Sequence, residues 1–434
     1  MKNYKALVPI ILVVLFLLSL YVLADGRMSS QKEYDQALFA ARDAAAKGIN
    51  VDADKYYQIA LGKKESFELR MEIGKFYSHI GEEGEAVAWA EEIQEMYPTE
   101  PAVYEFLMAR HLSAENYVSC YDLYELSRRR EVRSAYLESV MEEIKYYYFI
   151  NETNYIEVGL YNGAYCPVRV KEHWGYAGLG GNIVIKAKYK EVGTMILDLA
   201  PVVSLEGDAY FIDPQGNRKH VILGIGYVEK VGALVNDVFP VYDGNVWNFY
   251  NMNDEYIFGG FQEISSIGNG VAAVKQGDKW ALADRAGKML TEAIYDGFAK
   301  DEKDVVFRNN RLFAIEGGKH YLIDCNGKRI SEQAFEDARI FADATYAAVK
   351  LGGKWGYIDA EGEFVIEPTY EDARSFSNGF AAVMVDGKWG FITADNKLVI
   401  QPQFNDAKDF NSKGGVFVGT EDGWQILRLY QYNH

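Results

Sequence analysis

From about residue 160 onward, hydrophobic positions alternate in short runs cut by turns, and one such stretch occurs twice in near-identical form. Residues 354–370 read KWGYIDAEGEFVIEPTY, and residues 388–404 read KWGFITADNKLVIQPQF. In both copies a two-residue turn, Gly352-Gly353 or Asp386-Gly387, precedes Lys-Trp-Gly-aromatic-Ile. A second turn follows, DAEG or TADN, and a β-branched run then reaches a proline and an aromatic. Gly and Asn supply the positive φ that tight hairpin turns need, and period-two alternation between turns is the strand signal. Each copy therefore predicts a small antiparallel meander.

The same register extends in both directions. Lead positions fall at Trp174, Ala209, Trp247, Trp280, His320, Trp355, Trp389 and Trp424, at intervals of 35, 38, 33, 40, 35, 34 and 35 residues. The residue fifteen after the lead is Tyr189, Tyr295, Phe335, Tyr370 and Phe404 in five units, and EDAR (336–339, 371–374) or NDAK (405–408) follows in three. The units led by Ala209 and Trp247 lack that aromatic. A fixed period of this size marks a repeat architecture. One such unit has too little apolar face to fold alone, so neighbours must bury it. Tight turns before the lead positions favour antiparallel blades stacked radially over a solenoid of parallel coils. Eight lead positions enclose seven complete intervals, and the terminal run WQILRLYQY can pair with the first unit, which predicts a closed seven-bladed β-propeller over residues 166–434. Eight units and a β-solenoid stand as alternatives. Residues 149–165 are read as linker and first strand.

Residues 30–148 change period. Glycine is scarce, and Ala, Glu, Tyr and Leu recur with helical spacing. In the stretch ending at Pro98, Gly74, Tyr77, Ala86 and Pro98 fall where a tetratricopeptide unit has a small residue, an aromatic, a small residue and a helix stop. A second, looser unit starts at Pro101 with Cys120 and Tyr124 at the small and aromatic positions, and residues 34–48 resemble the second helix of another. The resemblance implies antiparallel helix pairs that present a groove to a peptide or helix.

Residues 7–24, LVPIILVVLFLLSLYVLA, carry no charge and follow Lys2 and Lys5. Eighteen residues at about 1.5 Å each approach the roughly 30 Å of a bilayer core. The flanking lysines place the N-terminus in the cytoplasm. Residues 1–29 are accordingly read as a single-pass membrane anchor with the rest of the chain extracytoplasmic; secretion after cleavage near Ala24 is the alternative.

In the β region, KWGYID, KWGFIT and HWGYAG, with EFVIEPTYEDARSF and LVIQPQFNDAKDF around them, resemble the bacterial WG-repeat family. That resemblance implies a β-repeat domain common on envelope and secreted proteins, and it supplies no catalytic residues. Units with Ala209 or His320 at the tryptophan position depart from the pattern, which implies irregular blades.

Charge narrows the function classes. The 434 residues carry a net charge of −18, which argues against a nucleic-acid partner, since that needs a basic footprint. Three distant cysteines, Cys120, Cys166 and Cys325, form neither a metal spacing nor a disulfide framework. The six histidines show no HExxH or paired spacing. The glycines of GLGGN (178–182) sit in a hairpin turn rather than between strand and helix, so they form no phosphate loop. DEKD (301–304), in the longest interval, reads as a solvated loop insertion. Asn151-Glu-Thr is a glycosylation sequon only in a eukaryotic source. The lead tryptophans could stack on sugars, but their periodic recurrence beside small residues fits packing between blades better.

No catalytic, cofactor or metal residues are therefore assigned. The combination reads as a membrane-anchored, non-catalytic scaffold that binds protein partners through its helical repeats and propeller surface. A carbohydrate-binding module or hydrolase using the propeller's central face is the alternative, and a cluster of carboxylates from several blades at one channel mouth would favour it.

Overall fold

A computed structural model describes residue 16 and residues 30–222, 225–343 and 345–432. Internal contacts divide the chain into two units, Met1–Lys145 with His434, and Tyr146–Asn433. Apart from Phe16, the apolar run 7–24 lies outside the described residues. Among the described residues, no helix is long and apolar enough to cross a membrane.

The first unit is helical. Its seven described helices are α1 (30–46), α2 (Asn50–Lys63), α3 (Phe67–His79), α4 (Glu83–Met96), α5 (Pro101–Ser113), α6 (Tyr117–Arg129) and α7 (Ala135–Ile144). Each boundary has a local cause. The Ser66 hydroxyl accepts from the Leu69 N–H, the Asn116 side chain from the Ser119 N–H, and Ser134 from the Tyr136 and Leu137 N–H groups, satisfying donors that a helix start leaves open. Pro101 opens α5, where its missing N–H is harmless. Connections of a few residues make consecutive helices antiparallel neighbours. At Gly74 a methyl group would come within 3.3 Å of the Trp89 ring, so glycine is what lets α3 and α4 approach. Trp89 repays the closeness by donating its indole N–H to the Arg70 carbonyl.

The second unit is a ring of sheets. The sequence favours seven blades, with eight units as an alternative; among the described residues the sheets number eight, one per lead position. Seven are four-stranded. The sheet led by Trp280 is a hairpin, Val271–Gln276 with Lys279–Asp284, flanked by single bridges such as Ile264–Val274 and Trp280–Tyr295. We number the blades 1 to 8 from Trp174 to Trp424. Blade 7 shows the plan: Asp372–Ala373, Phe380–Val385, Lys388–Thr393 and Leu398–Phe404 pair in chain order, the two-residue strand innermost. Asp386 and Gly387 have φ of 51° and 71°, the left-handed pair a tight hairpin requires.

Closure departs from the sequence reading. The last strand, Gly423–Leu429, pairs not with blade 1 but with Tyr148–Tyr155, which precedes it, from Tyr148 opposite Leu429 to Tyr155 opposite Trp424. Trp424 therefore heads a complete sheet instead of finishing the first one. The stretch read as linker and first strand supplies the outermost strand of blade 8 and then, at Glu157–Val158, the innermost strand of blade 1. Tyr155, Val158 and Cys166 pack with Phe417 and Ile426 across that seam.

The glycine after the lead tryptophan has a steric cause. A Cβ at Gly390 would stand 2.5 Å from the Ile400 carbonyl oxygen, and one at Gly356 would stand 2.6 Å from that of Ile366. There the outer strand bulges, so Trp389 faces Phe404 while Phe391 faces Ile400. In blade 3 the residue after tryptophan is Asn248, and the glycine has moved across to Gly259 on the outer strand. Blade 4 has Ala281 at the position, and its outer edge makes only isolated bridges.

Burial separates the tryptophans. Trp355 and Trp389 are 4% and 5% exposed, as packing between blades predicts, whereas Trp174, Trp247, Trp280 and Trp424 are half-buried. Trp389→Ala should therefore cost about 3–5 kcal/mol and Trp174→Ala clearly less. Gly390→Ala should cost about 1–3 kcal/mol through forced backbone shift. Thermal unfolding of the three variants checks the order; equal losses for the two tryptophans would contradict it.

Candidate functional site

One backbone position recurs in every blade. Immediately beyond the inner strand, an N–H donates to a carbonyl of the second strand, from Gly159, Gly193, Gly232, Ser265, Ala299, Arg339, Arg374 and Lys408 in blades 1 to 8. The segments that follow these residues in blades 1 and 5 to 8 converge on one cavity of ≈ 560 Å³. The position therefore faces the ring axis, and its composition is lopsided. Blades 1 to 5 place nothing larger than serine there, and blades 6 to 8 place three cations.

The glycines in blades 2 and 3 are tied to prolines opposite them. A Cβ at Gly193 would lie 2.6 Å from Pro201, and one at Gly232 would lie 2.5 Å from Pro240. Glycine is thus imposed by packing at two of the axial positions, and the small residues of blades 1 to 5 leave space beside the axis.

The longest repeat interval fills part of that space. DEKD (301–304) is not the free loop that the sequence reading expects; partly exposed, it is ion-paired across the axis. Glu302 binds the Arg374 guanidinium at 2.8 Å and the Lys408 ammonium at 2.5 Å. Arg374 also holds Asp409 at 2.8 Å. The Lys303 ammonium donates to the Tyr161 carbonyl at 3.2 Å and to the Asn162 side-chain oxygen at 3.5 Å. The Asp304 carbonyl accepts from the Ser266 N–H at 2.7 Å. Asp301 folds the loop itself, accepting from the N–H groups of Lys303 and Val305 while its second oxygen meets Arg308 at 3.0 Å. A loop of blade 5 is thereby attached to blades 1, 4, 7 and 8.

The physical reason is electrostatic. Cations at 374 and 408, largely removed from water, need a counter-charge that their own repeats do not fully supply. Burial acts to raise the Glu302 carboxyl, but Arg374 and Lys408 outweigh it and carry its pKa below the usual range. Burial acts against the Arg374 charge, and Asp409 with Glu302 overcomes it. Arg339 meets Asp372 at 2.8 Å and lies over the Trp355 ring.

The loop lines a second cavity of ≈ 590 Å³ with Trp174, Trp424 and the three glycines. In blade 8 the Lys408 ammonium sits 5.0 Å from the Trp424 ring centroid. In blade 1 the equivalent residue is Gly159, which has no side chain to cover Trp174.

The other sequence candidates are dispersed. His220 pairs with Asp254 at 2.9 Å between Phe211 and Phe239, and the half-buried His320 lies 3.6 Å from Asp337. Among the described residues, no three His, Cys, Asp or Glu side chains group as a metal site would require. Cys120, Cys166 and Cys325 are free thiols. GLGGN is the hairpin turn expected, and it also serves the seam: Tyr155 and Tyr161 donate to the Gly181 and Gly178 carbonyls. Sequence reasoning missed the axial cluster, although its signal was present. The last letters of EDAR, EDAR and NDAK are Arg339, Arg374 and Lys408, and the acidic insertion lies in the one interval of 40 residues.

Comparison with known proteins agrees with the repeat. The sequence profile of the WG containing repeat matches residues 174–203, 247–280, 355–389 and 389–419. No curated protein matches the sequence. Among solved structures, BamB from Moraxella catarrhalis is similar at 11% identity, over 64% of this chain and 97% of that one, with a TM-score of 0.43. A eukaryotic initiation factor is similar at 12% identity, over 64% and 86%, with a TM-score of 0.41. The C-terminal WD40 domain of Sif2 is similar at 9% identity, over 64% and 97%, with a TM-score of 0.37. The β region of this chain is a propeller that carries WG repeats.

Proposed function

We propose that this chain is a membrane-anchored, extracytoplasmic binding protein of the bacterial envelope, non-catalytic, working through protein partners. One observation carries the partner reading. In blades 1 to 5, 7 and 8 the first turn beyond the axial position has a residue in the left-handed region, and in blades 3, 4, 5 and 7 it is Asn236, Asn269, Asn309 or Asn378, with φ between 47° and 53°. Blade 2 has Leu197 there, at φ 48° and 80% exposed. A leucine in that conformation costs roughly 1–2 kcal/mol, which asparagine largely avoids, and its side chain gains no burial in return. Backbone strain kept together with an exposed apolar side chain is the pattern of a contact residue. The axis of the same ring is crossed by its own ion-paired loop, which shifts the weight from central chemistry to the rim.

A second reading draws on the half-buried Trp174 and Trp424 beside the ≈ 590 Å³ cavity: flat aromatic faces there suit a sugar ring. Glycan-dependent quenching of tryptophan fluorescence, lost in Trp174→Ala, would favour it.

The anchor is tested by protease added to spheroplasts: the helical and propeller regions should be digested, and their protection would overturn it. The partner reading is tested with Leu197→Asn. This variant should be more stable by up to about 1 kcal/mol and should lose most in-cell crosslinking to its partner. Unchanged crosslinking would remove Leu197 from the contact surface. Turnover of a glycan or peptide by the purified protein would overturn the non-catalytic assignment.

A further inference from the structure

The charges around the ≈ 560 Å³ axial cavity balance in number, but they do not all pair. Lys300 meets Asp304 at 2.5 Å, Arg339 meets Asp372, and Arg374 and Lys408 share Glu302 and Asp409. Asp343, on the cavity wall, accepts from the Thr345 and Asn378 N–H groups. Two cations are left short. Among the described residues, Lys303 has no carboxylate within 4.0 Å, and its ammonium reaches only two neutral oxygens. Arg308 gives one terminal nitrogen to Asp301, while its Nε is buried without a partner. Both side chains line this cavity.

Leaving a cation in this state is unfavourable. Burial, and then the neighbouring Arg308, push the Lys303 pKa below the usual lysine value, as expected of an ammonium that lacks a counter-charge. Elsewhere the chain is rich in carboxylates, with 63 acidic against 45 basic residues, yet Asp301 and Asp409, the carboxylates that act on Lys303, stay beyond ion-pair distance. The cavity is of the size small ligands occupy.

We propose that the axial cavity binds a small anion, the carboxylate or phosphate group of a small molecule, between the Lys303 ammonium and the Arg308 guanidinium. Guanidinium and ammonium donors recognise both groups by charge-assisted hydrogen bonds. This site is independent of the partner contact at Leu197, so the two stand or fall separately. Its binding requires the protonated form of Lys303, which Arg308, Asp301, Asp409 and Cys166 face. Affinity should therefore fall as pH rises through the lowered Lys303 pKa.

The test is calorimetric titration of the purified whole chain with inorganic phosphate and, separately, with acetate, against chloride at equal ionic strength. One saturable equivalent is expected for at least one anion; which one binds assigns the group. Lys303→Gln and Arg308→Gln should each weaken it at least about tenfold, roughly 1.4 kcal/mol. If Lys303→Gln fails to fold, Arg308→Gln and the pH profile of the unaltered chain decide. The absence of saturable binding of either anion, or an affinity unchanged in the folded variants, would overturn the proposal.

Discussion

The propeller depends on one strand pairing, Tyr148–Tyr155 against Gly423–Leu429. Every other sheet is made from consecutive residues and would form locally whether or not the ring closed. Only this pairing joins the two ends of the β region, and it covers the edge that the last blade would otherwise expose. Its neighbourhood is correspondingly specific. Gly181 packs where any side chain would strike Ile426, the Tyr155 hydroxyl fixes the turn that holds Gly181, and Asn411 reaches the Leu179 carbonyl. A glycine turn in blade 1 is thus shaped by residues more than two hundred positions later.

The axis follows a different logic. Repetition alone would put the same residue at all eight axial positions; the chain instead divides them into small and cationic. The small residues of blades 2 and 3 are fixed by proline packing, and the cations of blades 7 and 8 are balanced by a loop from blade 5. Glu302 joins Arg374 and Lys408, which lie in different blades, so the insertion acts as a brace between blades as well as a filling. Paired charges of this kind are weak sources of stability but strongly constrain geometry. Lys303, on the same loop, is the member that this pairing leaves out.

Much of the fold was legible in the sequence because its causes are local. Hairpin turns declare themselves through Gly352-Gly353 and Asp386-Gly387, the blade through its alternation, and the helical pairs through Gly74 and Ala86. The closing strand was not legible: YFINETNY has no lead tryptophan and no repeat partner, and what makes it a strand is an edge formed far away in the chain. The axial cluster was hidden for a related reason. EDAR, EDAR and NDAK show a recurring basic residue, and DEKD shows an acidic run, but only radial geometry brings them together. A charge run reads as solvated until something places it beside opposite charge. The tryptophans were legible as a class and misleading as individuals. Arg339 lies over the buried Trp355 and Gly159 gives Trp174 no such cover, yet Trp424 stays half-buried beside Lys408.

The seam also sets an order of events during synthesis. The Thr153 hydroxyl bonds to the Trp424 carbonyl across 271 positions, so the strand carrying Thr153 emerges from the ribosome long before its partner exists. At translation rates of about 5–20 residues per second, that delay is roughly fifteen seconds to a minute. Blades 1 to 7 can form in turn during that time, each from contiguous chain, while one strand stays unpaired beside them. Contacts this distant are slow to establish and expose edges meanwhile. The nascent protein therefore passes through a nearly complete open arc whose two ends remain competent to pair with another chain, and a second copy made nearby offers the same strands. Exchange of the first strand between two such arcs, rather than loss of any blade, is the characteristic way for this fold to go wrong.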